Sequence, residues 1–576
     1  MQPAEIRAQV DRVLASSWFK RSGRMCRFLK FVVEHALAGT GDQIKEYLIG
    51  VEVFDRRDYD PRVDPIVRVE ARRLRSKLKA YYATTGKRDG VIAEFPKGAY
   101  IPTFRLRAAP RPTRRREPAS SVAVLPFTNL TPRAGDEYFS DGLAEELNLL
   151  LTRVENLRVV AWHSAAQFRG RQEDLRAIRE RLNVSFVLKG AVRRTAAQVR
   201  VTVQLIDTGS GAVLWSEAYN RALSGVFAIQ AEIARAIVNA LRSRLGTASP
   251  PLVKPIPNLE CYNLCLQGRF HANKRTREGI LKSAACYAAA VQKDAQCGAA
   301  YAGLADSYSL LSDYSLMAPQ DAVPQAESAA RKALELDPQS ADALASLAFI
   351  RSIFDWRWSE AEGLYRQAIA LNPSNSKARH WFATDHLAML GRFDEALEQI
   401  QIARMLDPLS LIIHEGHAYI HILRRDFETA LATSRQIAEF DPRFYKAYAT
   451  MGRAFSLSGR YEEALAVWEK ARELGGNTPS SIAAIGQTRA LAGDRKGARR
   501  ALRELKSKAA SAFVPCTCFA ILYLGLGEIG QCLDWLERAA DRHEAQIGTV
   551  NVHPLYDPLR GEPRFQKILA RAGFLP

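Results

Sequence analysis

The spacing of apolar positions changes twice along this chain. In the first hundred residues it is mostly helical. Apolar residues recur at three and four positions over Cys26–Ala38 and over Pro65–Tyr82, with a shorter helix expected near Lys45–Phe54. Val67, Ala71, Leu74, Leu78 and Tyr81 form one core stripe, with Asp64 as N-cap and Pro65 as first helical residue. Val91–Phe95 and Ala99–Phe104 read as strands on either side of Pro96-Lys97-Gly98. Between 122 and 246 the two periods alternate. Strand runs Val122–Phe127 and Leu157–Trp162 are each followed by a helix or precede one (Gly142–Arg153, Glu173–Leu182). Three strands come next (Phe186–Arg194, Gln198–Ile206, Ala212–Tyr219), with Asp207-Thr-Gly-Ser-Gly211 as a hairpin turn, and Val226–Leu245 closes as a helix. Such alternation predicts an α/β domain.

From 259 onward the pattern is helical throughout, and it repeats. Pro338, Pro373, Pro408 and Pro442 close the segments ALELDP, IALNP, ARMLDP and IAEFDP, at spacings of 35, 35 and 34 residues. Small residues (Ala396, Ala403, Ala464, Ala471) let paired helices approach, aromatic residues fill the gap to the next pair, and the prolines stop each second helix. One unit cannot bury its own apolar face, so the units must stack. Seven to eight units fit between about 259 and 545. An insertion falls near Ser312–Val323, and the last stretch, from His553, reads as a cap.

The period and the residues Tyr448, Gly452, Phe455, Gly459, Tyr461, Ala464, Trp468 and Ala471 resemble the tetratricopeptide repeat (TPR). Two breaks set the domain limits. Arg105–Ser121 (RLRAAPRPTRRREPASS) is rich in Pro and Arg, and Thr247–Asn258 (TASPPLVKPIPN) holds four prolines. The expected organisation is an N-terminal domain 1–104, a linker 105–121, a central α/β domain 122–246, a linker 247–258 and an all-α TPR array with cap, 259–576.

Composition fits a globular chain of several domains: 576 residues, 47% hydrophobic and 25% charged. Eight cysteines at this length make neither a disulfide framework nor a CxxC metal site, so reduced core thiols in a cytoplasmic protein are expected. No apolar run approaches a membrane span, and the first residues lack the h-region of a signal peptide. The net charge of +19 is uneven. Residues 1–119 hold 26 Lys+Arg against 14 Asp+Glu, a net of +12. A polyanionic partner for the N-terminal domain follows.

The charge concentrates on the helix at 65–82. Arg68, Arg72, Arg75 and Lys79 lie at spacings of 4, 3 and 4 beside the apolar stripe, flanked by Arg73 and Lys77. A major groove admits such a helix; arginine reads guanine edges and lysine neutralises phosphate. A solvated basic face whose stems cover apolar surface is the plainer alternative. The run Arg73-Leu-Arg-Ser-Lys-Leu78, followed by a hairpin ending Lys97-Gly-Ala-Tyr-Ile101, resembles the winged helix-turn-helix domain of response-regulator-type transcription factors. One wing glycine is replaced by Ala99. The resemblance implies DNA binding, with Arg68, Arg72, Arg73 and Arg75 toward the groove and Lys77, Lys79 and Lys97 on phosphates. The central region resembles the TolB amino-terminal-like domain through Ser121–Phe127, Tyr138–Gly142 and Leu214–Glu217. That domain recurs ahead of TPR arrays in bacterial proteins, some named adenylate cyclases and others winged-helix activators. The cyclase catalytic domain has no counterpart here.

Catalytic patterns are missing. Thr84-Thr-Gly-Lys87 lacks the first glycine and the hydroxyl of a phosphate loop, and His414-Glu-Gly-His417 is one residue short of HExxH. His414, His417 and His421 share a helical face and read as packing residues; Cys516 and Cys518 read as core thiols. Asp136, Glu137, Asp141 and Glu145 cluster at a helix start, where acidic groups suit the dipole. The sequence thus predicts a cytoplasmic bacterial transcriptional regulator, not an enzyme, with no cofactor and no metal. Its partners are double-stranded DNA and a protein or peptide in the TPR groove, and a homodimer is compatible with this reading. The alternative is a TPR scaffold whose basic domain binds an acidic protein or membrane surface.

Overall fold

The structure is a computed structural model. It describes residues 3–106, 120–241 and 258–575, except positions 17, 21, 84, 87–88, 90, 97–98, 132–136, 153, 155, 171–173, 196 and 223–225. Lys97, Asp136 and most of both expected linkers therefore lie outside the described residues. The chain forms two compact units, Met1–Glu117 and Pro118–Pro576.

The first unit has four helices, α1 (Pro3–Ala15), α2 (Gly23–Leu37), α3 (Glu46–Glu52) and α4 (Ile66–Ala83), then antiparallel strands β1 (Val91–Glu94) and β2 (Thr103–Leu106). The expected helices and first strand are present, the second strand lies at Thr103–Leu106 rather than Ala99–Phe104 and so enters the expected linker, and α1 adds a helix that the pattern did not resolve. The Asp64 carboxylate accepts from the Ile66 amide (3.0 Å), as an N-cap should. Val67, Leu74 and Leu78 are buried against Phe28, Leu29, Val32 and Ile49 in one core. Each such side chain contributes roughly 1.5–3 kcal/mol on burial.

The second unit opens with a six-stranded sheet, β3 (Ser121–Val124), β4 (Thr128–Asn129), β5 (Arg158–Val159), β6 (Phe186–Arg194), β7 (Gln198–Asp207) and β8 (Val213–Ala222). The order is β5-β3-β6-β7-β8, with β4 also on β6. Strands β3, β5 and β6 are parallel; β6, β7 and β8 form an antiparallel meander. The twofold strand period splits β3 between two faces. Val122 and Val124 point to α5 (Glu137–Leu151) and α7 (Val226–Ala240). Ala123 and Leu125 point to α6 (Leu175–Leu182).

Eight helix pairs follow, from Leu259–Asn273 with Arg277–Lys293 to Cys516–Gly525 with Ile529–Asp541, then a cap ending in the helix Pro563–Arg571. The repeat period has a local cause. Each proline stops a second helix, and after Pro338 and Pro373 a polar side chain two residues later caps the next first helix: Ser340 accepts from the Ala343 amide and Asn375 from that of Ala378. Each cap contributes about 1 kcal/mol. Gly452 is required by its neighbour: a Cβ there would stand 2.5 Å from the Trp468 indole.

The α/β domain docks onto the repeats by hydrogen bonds and ion pairs as well as packing. The Ala161 amide donates to the Leu406 carbonyl (2.8 Å), and Arg158 donates to that of Met405 (2.7 Å). Ser164 donates to Asp407 and accepts from the Leu409 amide (2.8 Å). Of the acidic residues of α5, Glu145 faces the array, as does its neighbour Glu146, and the side chain of Glu137 lies outside the described residues. Buried Glu145 and neighbouring Glu146 lie 3.3 and 3.4 Å from Arg269 in the first repeat helix, and Asp141 pairs with Arg169. Arg269→Ala would leave Glu145 buried without its cation. We expect it to cost about 2–3 kcal/mol, read as a fall in the urea midpoint of the full chain.

Candidate nucleic-acid interface and concave chamber

Helix α4 presents two faces with different fates. The inner stripe is core. Outward, Arg68, Val69, Arg72, Arg73 and Ser76 are exposed, Val69 at 43%. Arg68 pairs with Glu46 (3.0 Å) and donates to the Pro61 carbonyl; Arg73 pairs with Glu70 (2.8 Å). Arg72 makes no side-chain bond or ion pair among the described residues.

Arg75 and Lys77 turn back onto the domain itself. Arg75 donates to the carbonyls of Phe95 (3.1 Å), Pro96 (3.0 Å) and Ala99 (3.4 Å), and its guanidinium lies 5.4 Å over the Phe95 ring. It ties α4 to the hairpin. Lys77 donates to the Trp18 carbonyl (2.7 Å) and the Ser22 hydroxyl (2.6 Å), tying α4 to the turn before α2. Lys79 lies within α4, its side chain outside the described residues. Spacing alone places Arg75 with Arg68 and Arg72. Its partners come from about twenty residues further on, and no helical periodicity reports them.

The TPR array closes on itself. The cap folds back onto the repeat at 341–371. His543 donates from Nδ1 to the Phe354 carbonyl (2.6 Å) and stacks on Trp356, with ring centroids 4.6 Å apart. Trp358 donates its indole N–H to the Ala572 carbonyl (2.8 Å), Asn551 donates to Met389 (3.2 Å), and Arg425 pairs with Asp557 (2.8 Å).

Closure leaves a cavity of about 410 Å³ lined by the first helices of successive repeats and roofed by Thr549, His553 and Tyr556. Phe349, Trp381, Tyr419 and Trp468 supply aromatic wall. Six Arg, Lys, Asp and Glu side chains also line it: Arg275, Asp313, Asp385, Glu415, Lys446 and Arg453. Asp385 stands in a π-turn, Ala383–Leu387, that interrupts its helix; such turns recur at functional sites. Burial, with Asp313 close by, pushes its carboxyl up to about 7. Burial pushes Asp313 up as well, and pushes His380 and His553 down to about 3.

His414 bonds the Pro408 carbonyl (2.8 Å) and His421 bonds Asp426 (3.1 Å), so both serve packing. All eight cysteines are free thiols. Cys261 and Cys265, one helical turn apart, meet Cys297 with their sulfurs within 4.8 Å. Hydrogen bonding from Cys265 holds the Cys297 thiol down to about 6. The fold gathers three thiols that are up to 36 residues apart in sequence, so spacing gave no sign of the cluster.

One family match falls in the second unit. Residues 118–236 match the family described as HilA/YgeH-like transcriptional regulator, second domain. The Rhizobium meliloti (strain 1021) protein named "Putative adenylate cyclase 3" is 41% identical over 140 residues, 24% of this chain and 24% of its own length. Transcriptional regulator HilA of Salmonella typhimurium (strain LT2) is 25% identical over 156 residues, 27% of this chain and 28% of its own. The chain thus spans about a quarter of the length of each. Among solved structures, a tetratricopeptide repeat protein from Parabacteroides merdae is similar at 15% identity and TM-score 0.33, over 47% of this chain and all of its own. Pseudomonas aeruginosa pilF is similar at 21% identity and TM-score 0.28, over 39% of this chain and 96% of its own. Among the described residues no helix is long and apolar enough to cross a membrane.

Proposed function

We propose that the chain is a cytoplasmic DNA-binding transcriptional regulator. In this reading the first unit is a winged helix, and Arg68, Arg72 and Arg73 of α4 approach the major groove. The observation that carries it is the outward face of α4: three arginines and an exposed Val69 on a helix held rigidly by its inner stripe, in the part of the chain that holds +12. Arginine bonds guanine edges, and a valine methyl suits the thymine methyl. The match of residues 118–236 to a transcriptional-regulator family supports it. Arg75 and Lys77 hold the helix in place. The α/β domain, TolB-like in its strand motifs, transmits or dimerises, and the TPR array takes a protein partner. No catalytic step is assigned: the cyclase-named relative shares only a quarter of its length with this chain.

The test is a mobility-shift salt series of the full chain on its own genomic fragments. DNA affinity should fall with log salt by about 0.9 per phosphate neutralised. Arg72→Ala with Arg73→Ala should lower that slope by up to about 2 and remove sequence preference, with the melting transition unchanged. Unchanged retardation by this variant would reject α4 as the interface. Absence of any DNA enrichment beside capture of acidic proteins would favour the scaffold.

A further inference from the structure

Elsewhere in the array, several arginines are each held by more than one carboxylate. Arg351 meets three carboxylates, and Arg392 and Arg564 meet two each. The chamber departs from this. None of Arg275, Asp313, Asp385, Glu415, Lys446 or Arg453 has an opposite charge within 4.0 Å among the described residues. What they have is partial. The Thr384 hydroxyl donates to Asp385 and that of Thr450 to Glu415, both at 2.6 Å. Lys446 Nζ lies 4.3 Å over the Tyr314 ring, and the Arg453 guanidinium faces Tyr419 and Trp468. The Tyr314 hydroxyl is buried with no partner.

Glu415 is buried and the other five are half-buried, and charge of both signs left unpaired there is costly unless something satisfies it. A cation alone would leave Lys446, Arg275 and Arg453 unmet; an anion alone would leave the carboxylates. The aromatic walls ask for an apolar body. The volume is that of a small-molecule site, which spans roughly 300–1,000 Å³. The roof of cap residues shortens the space available to an extended peptide.

We propose that the chamber binds a small zwitterion with an apolar or aromatic body, of the free amino acid class. Its ammonium group lies by Asp313 and Asp385, its carboxylate by Lys446, and its side chain against the aromatic wall. The assignment is independent of DNA binding by the first unit.

The full chain is melted with each of the twenty proteinogenic L-amino acids at millimolar concentration. Each one that raises the midpoint is titrated by calorimetry beside its N-acetyl and amide derivatives. One or more apolar or aromatic amino acids should bind. Blocking either end should weaken binding about tenfold or more, the loss of one charge-assisted contact. Asp385→Asn keeps the shape, and should weaken binding to a similar degree without lowering the midpoint of the free protein; Lys446→Met should do the same from the carboxylate side. The proposal is overturned if none of the twenty binds, if blocked derivatives bind as tightly as the parent, or if Asp385→Asn binds unchanged.

Discussion

Arg351→Leu is expected to destabilise the repeat array by about 3–5 kcal/mol, the usual effect of removing one partner from a buried ion network. The Arg351 side chain is 3% exposed and holds Glu327 (2.5 Å), Asp355 and Glu360 (3.0 Å). Leucine fills much of the volume but leaves three carboxylates facing one another. The network also sets an acid limit. Hydrogen bonds from Arg351 first, and from Arg331, hold Glu327 down to about 2. A carboxyl depressed on folding stabilises above its unfolded range and loses that contribution as pH falls, here between about 4.5 and 2. The wild-type urea midpoint should therefore drop over that window, and the drop should shrink in the leucine variant. An equal midpoint for both proteins at neutral pH would remove the network from any structural role.

Asp385→Asn should act in the opposite direction. The folded carboxyl of Asp385 sits at about 7, raised chiefly by burial and then by Asp313; the Thr384 hydroxyl and Lys446 oppose the rise, and Glu415 adds to it. A carboxyl raised on folding favours the folded state while it stays protonated, and loses that advantage as pH climbs through the folded value. The wild type therefore carries a penalty that grows from about pH 4 and levels above 7, on the order of 4 kcal/mol. Asparagine can still accept the Thr384 hydrogen bond and has nothing to ionise. The variant should be little changed at pH 4 and more stable than wild type at pH 8. A midpoint difference that did not vary with pH would show that folding leaves the Asp385 carboxyl unshifted.

Sequence patterns report faces and periods, and those features were legible. The 35-residue spacing predicted helix pairs, and the structure adds the reason in Ser340 and Asn375. The α4 stripe was correct residue by residue. What the patterns could not supply were partners from distant segments. Arg75 and Arg72 sit on one helix with similar spacing, yet the hairpin carbonyls engage only the first. The acidic group at the start of α5 reads as a helix-dipole feature. The burial of Glu145 against Arg269, 124 residues later, belongs to the docked pair of domains. The chamber is illegible in the sequence for the same reason: its six charged residues come from five separate segments and converge only when the array curves and the cap returns.

That return changes how the array can come apart. An open solenoid frays from its ends, because each repeat rests only on its neighbours. Here Trp356 and Trp358 are held by His543 and the carbonyl of Ala572, about two hundred residues later in the chain. The terminal cap therefore cannot loosen without exposing a repeat in the middle of the array. The nearest-neighbour chain becomes a loop, in which local opening at one seam is opposed from both directions.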